Sequence, residues 1–577
     1  MINDISLCEH VSTMYFRTST KKQGVKVSRF VQLARSIRTG KTIRTKIIAH
    51  LGPYEKFIEK EAPSLLRRLS QMTGQKLEET IYEDGQDVGN VLLLLLLWEE
   101  MGMSEIFKTN LGQRKVEFDL IKYIKCLVIN RLCDPRSKLG IKEWLKGTYF
   151  PGMAYQEFLY HHALRTMDWL IGKKDIVERQ IADRFLTLFD GTVQILFYDI
   201  TSSYFTSDRG IDGNDPEEIR GHGYSRDHRS DRYQITIGLV MTEEGLPLCH
   251  YVFPGNTQDK STISKVVEDV RMRFGIKEVV LVGDRGMLSD KNLDRITEEE
   301  FRFIISHPLR GDNAVCHVIE KMLPSLKRMA EHTDEEVYSE ATYQGRRFVI
   351  SYNKRKAEET RYKRTKAIGK AQSFIDKKLL SLKRSTDGRM KKARGRPLTP
   401  QGTYDVIHDY LRDRRLLSLF KVELKGKRII IEANQKNRRW EEKIDGVIVV
   451  ETTEKGLPPS EVIKQYRNLH DIERGFRTLK SSLELRPMYH WTPKRIRAHV
   501  FICVIALQLS RLMHKRLAGS DWSWERAIER LRGIKTFIIK TGAIERRGIT
   551  TADKEQKTIC KQLGLPFPQY KHLVSLH

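Results

Sequence analysis

Apolar, β-branched and aromatic residues recur with strand spacing from residue 193 onward, and the order of these segments limits the folds open to the chain. TVQILFYDI, DRYQITIGLVMT and LPLCHYVFPG predict three consecutive strands, the last two joined by a turn at Glu243-Glu244-Gly245. A helical stretch, STISKVVEDVRMRFG, follows, and then two strands, VVLVGDRG and FRFIISHP. Hairpins followed by strand–helix–strand crossovers predict an α/β fold with a mixed sheet covered by helices.

The segments on either side of these strands have other patterns. Residues 55–190 carry apolar positions every three or four residues, as helices do. After residue 460 helical spacing returns, and RIRAHVFICVIALQLSRLMHKRL is apolar on every side of its centre, which predicts a buried core helix. Between them, VYSEATYQGRRFVISYN and FKVELKGKRIIIEAN predict hairpins that turn at Gln344-Gly345 and Lys425-Gly426.

A chain of 577 residues exceeds what one core holds, so two to four domains are expected. The N-terminal segments VSRFVQLARSIR and TIRTKIIAHL predict a hairpin rich in Lys and Arg, either a DNA-binding appendage or a soluble hairpin with a basic face. The predicted organisation is a basic β-hairpin region, a helical region, a mixed-sheet core in two parts, a β-rich basic insertion and a helical C-terminal region: residues 1–55, 56–190, 191–307 with 460–517, 308–459 and 518–577.

The charge of the chain points to a polyanionic partner. It has 102 Lys and Arg against 74 Asp and Glu, a net charge of +28, which favours nucleic acid over an anionic membrane. Residues 354–396 alone hold 17 Lys and Arg and four acids. The longest apolar runs, Val91–Trp98 and Val500–Leu507, are far shorter than the roughly 18–20 residues that span a bilayer, so no membrane partner is expected. Seven scattered cysteines favour reduced thiols in the cytoplasm.

Two aspartates occupy equivalent places in the predicted sheet. Asp199 and Asp284 each close or directly follow an apolar strand, at the edge where open α/β sheets bind ligands. A carboxylate there is partly desolvated, and a bound divalent cation would offset that cost. Oxygen ligands suit Mg²⁺ or Mn²⁺. An Asp that only caps a turn is the alternative at each position.

A third carboxylate lies on a predicted helix, YRNLHDIERGFRTLKSSLEL. Its apolar residues form one buried stripe, made of Leu469, Ile472, Phe476, Leu479 and Leu483. Glu473 borders that stripe, with Arg477 and Lys480 one and two turns further on, where they could hold phosphates beside a metal. An ordinary helix ion pair from Glu473 to Arg477 is the alternative.

FYDITSSYF, VVLVGDRGMLS and YRNLHDIERGFRTLKSSLELRPMYHW, together with NTQDKST, resemble segments of the DDE transposases of prokaryotic insertion sequences, over about residues 190 to 515. The nearest branch is cut-and-paste and has a ribonuclease-H-like core split by a β-rich insertion before the catalytic Glu. The resemblance implies that Asp199, Asp284 and Glu473 form the catalytic, metal-binding triad. It implies two Mg²⁺ or Mn²⁺ ions, about 3.5–4 Å apart.

That branch carries a Y-x2-R-x3-E-x6-K signature. Tyr466, Glu473 and Lys480 match it, and Tyr466 and Lys480 are therefore expected to contact DNA. Leu469 stands at the Arg position of the signature, and Arg467 or Arg477 could supply the phosphate contact instead.

Further candidates for DNA contact lie in the insertion. Arg394 and Arg396 belong to an R-G-R-P core like that of an AT-hook, although a flexible basic loop is the simpler interpretation. Trp440 could stack on a flipped base, as a Trp does in the related branch, or be a hairpin core residue. The loop GHGYSRDHRSDR (221–232) could touch phosphates, and Asp259 is the main rival carboxylate for a metal site.

The resemblance implies an enzyme, a DDE transposase that nicks the ends of an insertion sequence and transfers the cut strand to target DNA. Its expected partners are double-stranded DNA at terminal inverted repeats and at the target, and a second copy of the chain when bound to DNA. Its expected location is the prokaryotic cytoplasm. Two alternatives stay open: a transposase-derived DNA-binding protein without catalysis, and a ribonuclease-H-like nuclease without strand transfer.

Overall fold

The structure is a computed structural model of the whole chain. It describes residues 14–23, 26–39, 42–74, 80–83, 85–112, 117–188, 195–207, 215–227, 229–258, 262–274, 280–284, 301–386, 398–541 and 544–575.

Strands and helices alternate in blocks along the chain. The strands are β1 (Met14–Gln23), β2 (Lys26–Thr39), β3 (Thr42–Pro53), β4 (Thr80–Glu83), β5 (Ile195–Tyr204), β6 (Gln234–Thr242), β7 (Pro247–Pro254), β8 (Val280–Asp284), β9 (Arg302–Ser306), β10 (Val337–Tyr343), β11 (Arg346–Tyr352), β12 (Phe420–Lys425), β13 (Arg428–Ala433), β14 (Val447–Thr452), β15 (Thr536–Thr541) and β16 (Ile544–Ile549).

The α-helices are α1 (Tyr54–Lys56), α2 (Ala62–Thr73), α3 (Gly89–Glu100), α4 (Met103–Leu111), α5 (Leu120–Cys133), α6 (Ile141–Gly147), α7 (Tyr160–Gly172), α8 (Lys174–Leu188), α9 (Ile263–Phe274), α10 (Asn313–Met329), α11 (Lys354–Thr386), α12 (Pro400–Asp413), α13 (Gln435–Ile444), α14 (Pro459–Asn468), α15 (His470–Lys480), α16 (Pro493–Arg516), α17 (Trp524–Leu531), α18 (Lys554–Gln562) and α19 (Tyr570–Ser575). A π-helical turn, Phe57–Glu61, joins α1 to α2, and a 3₁₀ turn, Leu417–Leu419, precedes β12.

The smaller of two compact units comprises Met1–Gly85 and Phe537–Gly548. Its N-terminal sheet has the order β1-β2-β3, all antiparallel, so the predicted hairpin is confirmed and a further strand, β1, lies beside it. We expect the turn of this hairpin at Thr39-Gly40, and Gly40 lies outside the described residues. A second sheet has the order β16-β15-β4. The C-terminal region was predicted to be helical throughout, and the strands β15 and β16 correct that prediction.

The larger unit, Gln86–Thr536 with Ile549–His577, contains an eight-stranded sheet of order β10-β11-β14-β9-β8-β5-β6-β7. β8 pairs in parallel with both β5 and β9, and the other neighbours are antiparallel. This confirms the predicted α/β fold with a mixed sheet. In its described part, the predicted helical region of residues 56–190 forms the helices α2 to α8, and the strand β4 lies among them.

The sheet is covered on both faces. On one face, α9 packs in a cluster with alternate residues of β5 such as Leu196 and Tyr198. On the other, Ile195 and Phe197 share a core with the long helix α16. By length and composition α16 could cross a membrane, but 94% of its most apolar 18-residue window is buried inside the protein. It is the core helix that the sequence predicts, because its apolar residues meet protein on every side.

The predicted β-rich insertion contains long helices as well as strands. Three of its strands, β10, β11 and β14, extend the main sheet, while β12 and β13 form a separate hairpin. The first predicted turn is confirmed, with Gln344 and Gly345 both at positive φ. The second predicted turn, Lys425-Gly426, is shifted by one residue. Lys425 pairs with Arg428, so the turn residues are Gly426 and Lys427. The basic stretch is helical in its described part, as α11.

A charged network ties β9 to the strands beyond it. His307, which directly follows β9, is buried, with Nε2 2.6 Å from Glu451 Oε2 and Nδ1 3.1 Å from Asp312 Oδ2. Glu451 also accepts a hydrogen bond of 2.7 Å from Arg346 Nε. Burial opposes ionisation of Glu451, but the hydrogen bonds from His307 and Arg346 outweigh it and hold the pKa of this carboxyl below its ordinary 4.5. The ionised carboxylate therefore stabilises this part of the sheet.

We predict that Glu451→Gln lowers the free energy of unfolding by about 3 kcal/mol at pH 7, because it removes a buried carboxylate that is held by the Arg346 guanidinium and by the His307 ring. The folded pKa is depressed, so the stabilisation exists above the unfolded pKa, near 4.5, and is lost as the pH falls through the folded pKa. The difference in unfolding free energy between wild type and variant should therefore decrease below pH 4.5. Urea unfolding of the full chain at a series of pH values measures it.

The matched control is Glu340→Gln on β10. Glu340 forms an ion pair with Arg347 but is half exposed, so its loss should change the unfolding free energy by less than about 1 kcal/mol. Equal effects of the two substitutions at pH 7 would contradict a stabilising role for the buried network.

Candidate active site

The two predicted aspartates stand at the same level on neighbouring strands. β5 and β8 pair in parallel with a constant offset of 85 residues, from Ile195 with Val280 to Phe197 with Val282. The same offset brings position 199 level with position 284, two residues further along both strands. Beyond the last register pair, the same offset sets Asp199 and Asp284 at matching positions along their strands, where the sequence predicted only separate strand ends. β5 itself continues beyond Asp199 to Tyr204.

Asp199 lies on the face of the sheet that meets the C-terminal helices. Alternate residues of β5 before it, Ile195 and Phe197, belong to the core beneath α16, and so does Leu239, its antiparallel partner on β6. The Asp199 side chain is half-buried, and its Oδ1 accepts a hydrogen bond of 2.7 Å from the Ile200 N–H. The side chain of Asp284 lies outside the described part of the structure.

Glu473 lies in the first turn of α15. The sequence predicted one continuous helix here, and the structure corrects this to two helices, α14 and α15, that meet at Leu469. Each of the five residues of the predicted apolar stripe is at most 9% exposed, which confirms their burial. The helix ends at Lys480, however, so Leu483 is buried in the turn that follows α15. The stripe presses α15 onto the sheet, and Glu473 borders it on the outside.

A glycine lets α15 approach the sheet closely. A Cβ at Gly475 would lie 3.3 Å from Met241 Sδ and 3.7 Å from Leu239 Cδ2, both on β6. Leu239 is the strand partner of Asp199, so α15 crosses the sheet at the level of this aspartate. A branched side chain at position 475 would have to push the helix outward.

A cavity of about 410 Å³ lies between the start of α15 and the strands β9 and β14. Glu473 and His470 line it from α15, and Ser306 and His307 line it from the end of β9. Ser306 is the register partner of Asp284. The Glu473 side chain is 55% exposed, and its Oε2 lies 3.0 Å from His470 Nδ1. The three predicted acids therefore belong to segments that converge at one edge of the sheet.

The signature positions have different surroundings. Tyr466 is half-buried and lines the same cavity, and Leu469, at the Arg position of the signature, is buried. Arg467 forms a two-pronged ion pair with Glu336, so its guanidinium is already engaged. Arg477 is exposed on α15 and is the better placed of the two to reach a phosphate.

Lys480 has a partner that sequence reasoning missed. Its Nζ lies 3.0 Å from Asp227 Oδ1, and Arg486 Nη1 lies 2.9 Å from the other oxygen of the same carboxylate. Burial, with Arg486 and Arg226 nearby, lowers the pKa of Lys480 although Asp227 opposes the shift. The loop that carries Asp227 is fixed to β5, where the Arg226 N–H donates to Ser202 Oγ at 3.0 Å. The Arg and His residues of loop 221–232 predict phosphate contacts, but the sequence gives no local signal that Asp227 pairs with Lys480.

Of the remaining predicted DNA contacts, Trp440 is within the described residues. Trp440 lies on α13, not on a hairpin, because Asn434 caps a helix there by accepting a hydrogen bond from the Asn437 N–H. Its indole N–H donates to the Leu309 carbonyl at 2.9 Å, and the ring packs against a core cluster. Arg394 and Arg396 lie outside the described residues, as does Asp259.

Within the described ranges, no group of three or more His, Cys, Asp and Glu side chains is arranged to hold a metal ion. The structure describes the side chains of Asp199 and Glu473, whereas the Asp284 carboxylate lies outside its described part. Two carboxylates of the predicted triad can therefore be described, one half-buried and one exposed.

Comparisons with known proteins identify the family. A search of curated protein sequences found no match. Among solved structures, the chain is similar to a piggyBac transposase synaptic complex with hairpin DNA, at 9% identity and a TM-score of 0.34, covering 79% of this chain and 82% of that one. Residues 195–509 match the family model described as a transposase DDE domain, which is more than half of the chain. The chain belongs to the family of transposases with a DDE domain.

Proposed function

We propose that this chain is a cut-and-paste DNA transposase, which cleaves DNA at the ends of an insertion sequence and joins the cut strand to a target. The observation that carries the proposal is the convergence of three acid-bearing segments inside the matched domain. Asp199 and Asp284 share a level on paired strands, and Glu473 lines the cavity that reaches the neighbour of Asp284. A ribonuclease-H-like core would bring its three acids together in this way.

The chemistry of the three side chains fits a divalent metal. All are carboxylates, the ligands that Mg²⁺ and Mn²⁺ favour in sites open to substrate phosphates. Asp199 is half-buried among apolar strand residues, where a cation would offset the cost of its charge. We propose Asp199, Asp284 and Glu473 as the residues that hold two such ions. When bound, the ions supply Lewis acidity at the attacking and leaving oxygens of the phosphodiester.

The other residues of this edge would bind and orient DNA. Arg477 is exposed on the same helix as Glu473 and offers a guanidinium to a phosphate. His470 Nδ1 lies 3.0 Å from Glu473 Oε2 on the exposed side of the helix. Lys480, held by Asp227, keeps α15 attached to the loop beside β5. Tyr466 closes the wall of the cavity.

The partners follow from the charge and the chemistry. A net charge of +28 suits a chain that binds double-stranded DNA, both at terminal inverted repeats and at the target. Joining two ends of one element requires two active sites, so we propose that two copies assemble when DNA is bound. We propose the prokaryotic cytoplasm as the place of the reaction.

We predict that Asp199→Asn, Asp284→Asn and Glu473→Gln each reduce strand cleavage by about 10⁴-fold, because each removes a charge that holds the metal. Affinity for the same DNA should stay within a few-fold of wild type. The assay uses a duplex that carries the terminal inverted repeat of the encoding element, with Mg²⁺. A precut end with a free 3′-hydroxyl tests joining to a plasmid in the same buffer.

Glu461→Gln on α14 is the matched control, since it also removes one partly exposed carboxylate, and it should cleave like wild type. Cleavage at wild-type rates by any triad variant would refute its assignment. Cleavage of the inverted repeat with no joining of the precut end would refute transposition and leave a nuclease.

We predict that Gly475→Val reduces cleavage by about tenfold or more while DNA binding persists, because overpacking against Met241 costs about 1–3 kcal/mol unless α15 shifts. Gly475→Ala is the control. Its single methyl contacts a flexible thioether at 3.3 Å and should cost less than threefold in rate, an order-of-magnitude expectation. Wild-type cleavage by the Val variant would show that the close approach of α15 does not matter for the reaction.

A further inference from the structure

Cations recur at every seventh residue along α11. Lys356, Lys363, Lys370, Lys377 and Arg384 are all exposed. Seven residues advance an α-helix by about 10.5 Å, so the five positions extend over about 42 Å. In a straight helix a seven-residue repeat drifts by only about 20° per step, and the five cations therefore follow one side of the helix. We call these five residues the α11 stripe.

Few acidic side chains of the protein neutralise the positive charge of the stripe. Glu359 is the acid on this side of α11, and it pairs with Arg355 at 3.6 Å. Within the described part of the chain, Lys363, Lys370 and Lys377 form no ion pair. The positive charge of the stripe is therefore directed to solvent.

The rest of α11 is fixed to the protein. Ala371 and Ile375 are buried in a cluster with Ile407 of α12 and Phe420 of β12. Nearer its start, Arg364 donates to both oxygens of Asp445, at 2.5 and 2.6 Å. Because the apolar face is already covered, the stripe is the side of this long helix that is left for a partner.

The stripe begins at the candidate active site. Lys356, its first member, lines the same cavity as Glu473. The other four cations lead away from that cavity along a straight path. A substrate held at Glu473 would therefore meet the stripe as it leaves.

We propose that the α11 stripe binds the phosphate backbone of duplex DNA and holds the part of the substrate that extends beyond the active site. The inference rests on the proposed function. Duplex DNA carries about one charge per 1.7 Å and is straight over this length, so it can meet several cations of a rigid helix at once.

Duplex DNA fits the stripe better than other polyanions do. Sites for single strands stack successive bases on several aromatic side chains. All five stripe positions are Lys or Arg, and among the described residues of α11 Tyr362 is the exposed aromatic side chain. A helix that lies on a membrane needs an exposed apolar face, and the apolar face of α11 is buried against α12.

The test measures DNA affinity, without cleavage, for the full-length variant Lys363→Gln/Lys370→Gln/Lys377→Gln. Gln forms helix about as well as Lys, so the helix should persist. With a labelled 40-bp duplex at 0.1 M salt, we expect binding weaker by about tenfold or more, and a slope of log Kd against log salt shallower by about 2 to 3. The Lys→Arg triple variant keeps the charge and should bind like wild type.

The matched control removes three exposed lysines elsewhere in the larger unit, in the variant Lys554→Gln/Lys561→Gln/Lys571→Gln. It has the same net charge as the stripe variant and should lose less than about threefold in affinity. If both variants lost the same affinity for the duplex, the loss would depend on net charge alone and the proposal would be overturned.

Three other outcomes overturn the inference. The stripe variant could bind the duplex like wild type, which would leave the proposed function standing if that variant still cleaves. The loss could be larger for a 40-nucleotide single strand, or for vesicles of anionic lipid, than for the duplex. A wild-type chain that binds no duplex at all would refute both the stripe and the proposed function.

Discussion

The register between β5 and β8 is the constraint on which the site depends. A slip of one residue would move Asp199 away from the level of Asp284 and would turn every following side chain of the strand to the opposite face. The register is held by apolar residues of both strands, such as Phe197 and Val282, packed into the core beneath α16. The β8–β9 pairing extends the same arrangement to Ser306, where the network of His307 fixes the far side of the cavity.

The helix that completes the site is positioned by contacts at its middle and at its end. At its middle, Gly475 lets α15 lie close against β6, and the buried stripe from Leu469 onward excludes water between helix and sheet. At its end, Lys480 is held by Asp227 on the loop beside β5. Segments far apart in the sequence thus meet at one sheet edge, and α11, encoded between Asp284 and Glu473, returns to the same cavity through Lys356.

Local pattern was sufficient to predict the mixed sheet, the core helix α16 and the apolar stripe of α15, because each depends on the spacing of apolar residues. It was insufficient for Trp440, whose helix is set by the Asn434 cap in a segment with little apolar periodicity. The strands β15 and β16 are short, and short apolar runs do not distinguish strand from helix. The pairing of Lys480 with Asp227 spans 253 positions and leaves no local signal in the sequence.

The central claim is that Asp199, Asp284 and Glu473 form one metal pocket, and Mn²⁺ binding to the full-length protein tests it most directly. Titration calorimetry with Mn²⁺, on wild type and on Asp199→Asn, Asp284→Asn and Glu473→Gln, compares the three positions without any DNA. The account predicts that each substitution weakens Mn²⁺ binding by about 10- to 100-fold or more, since each removes a ligand of a shared site. Unchanged Mn²⁺ affinity in Glu473→Gln, beside a clear loss in the two aspartate variants, would contradict a single pocket.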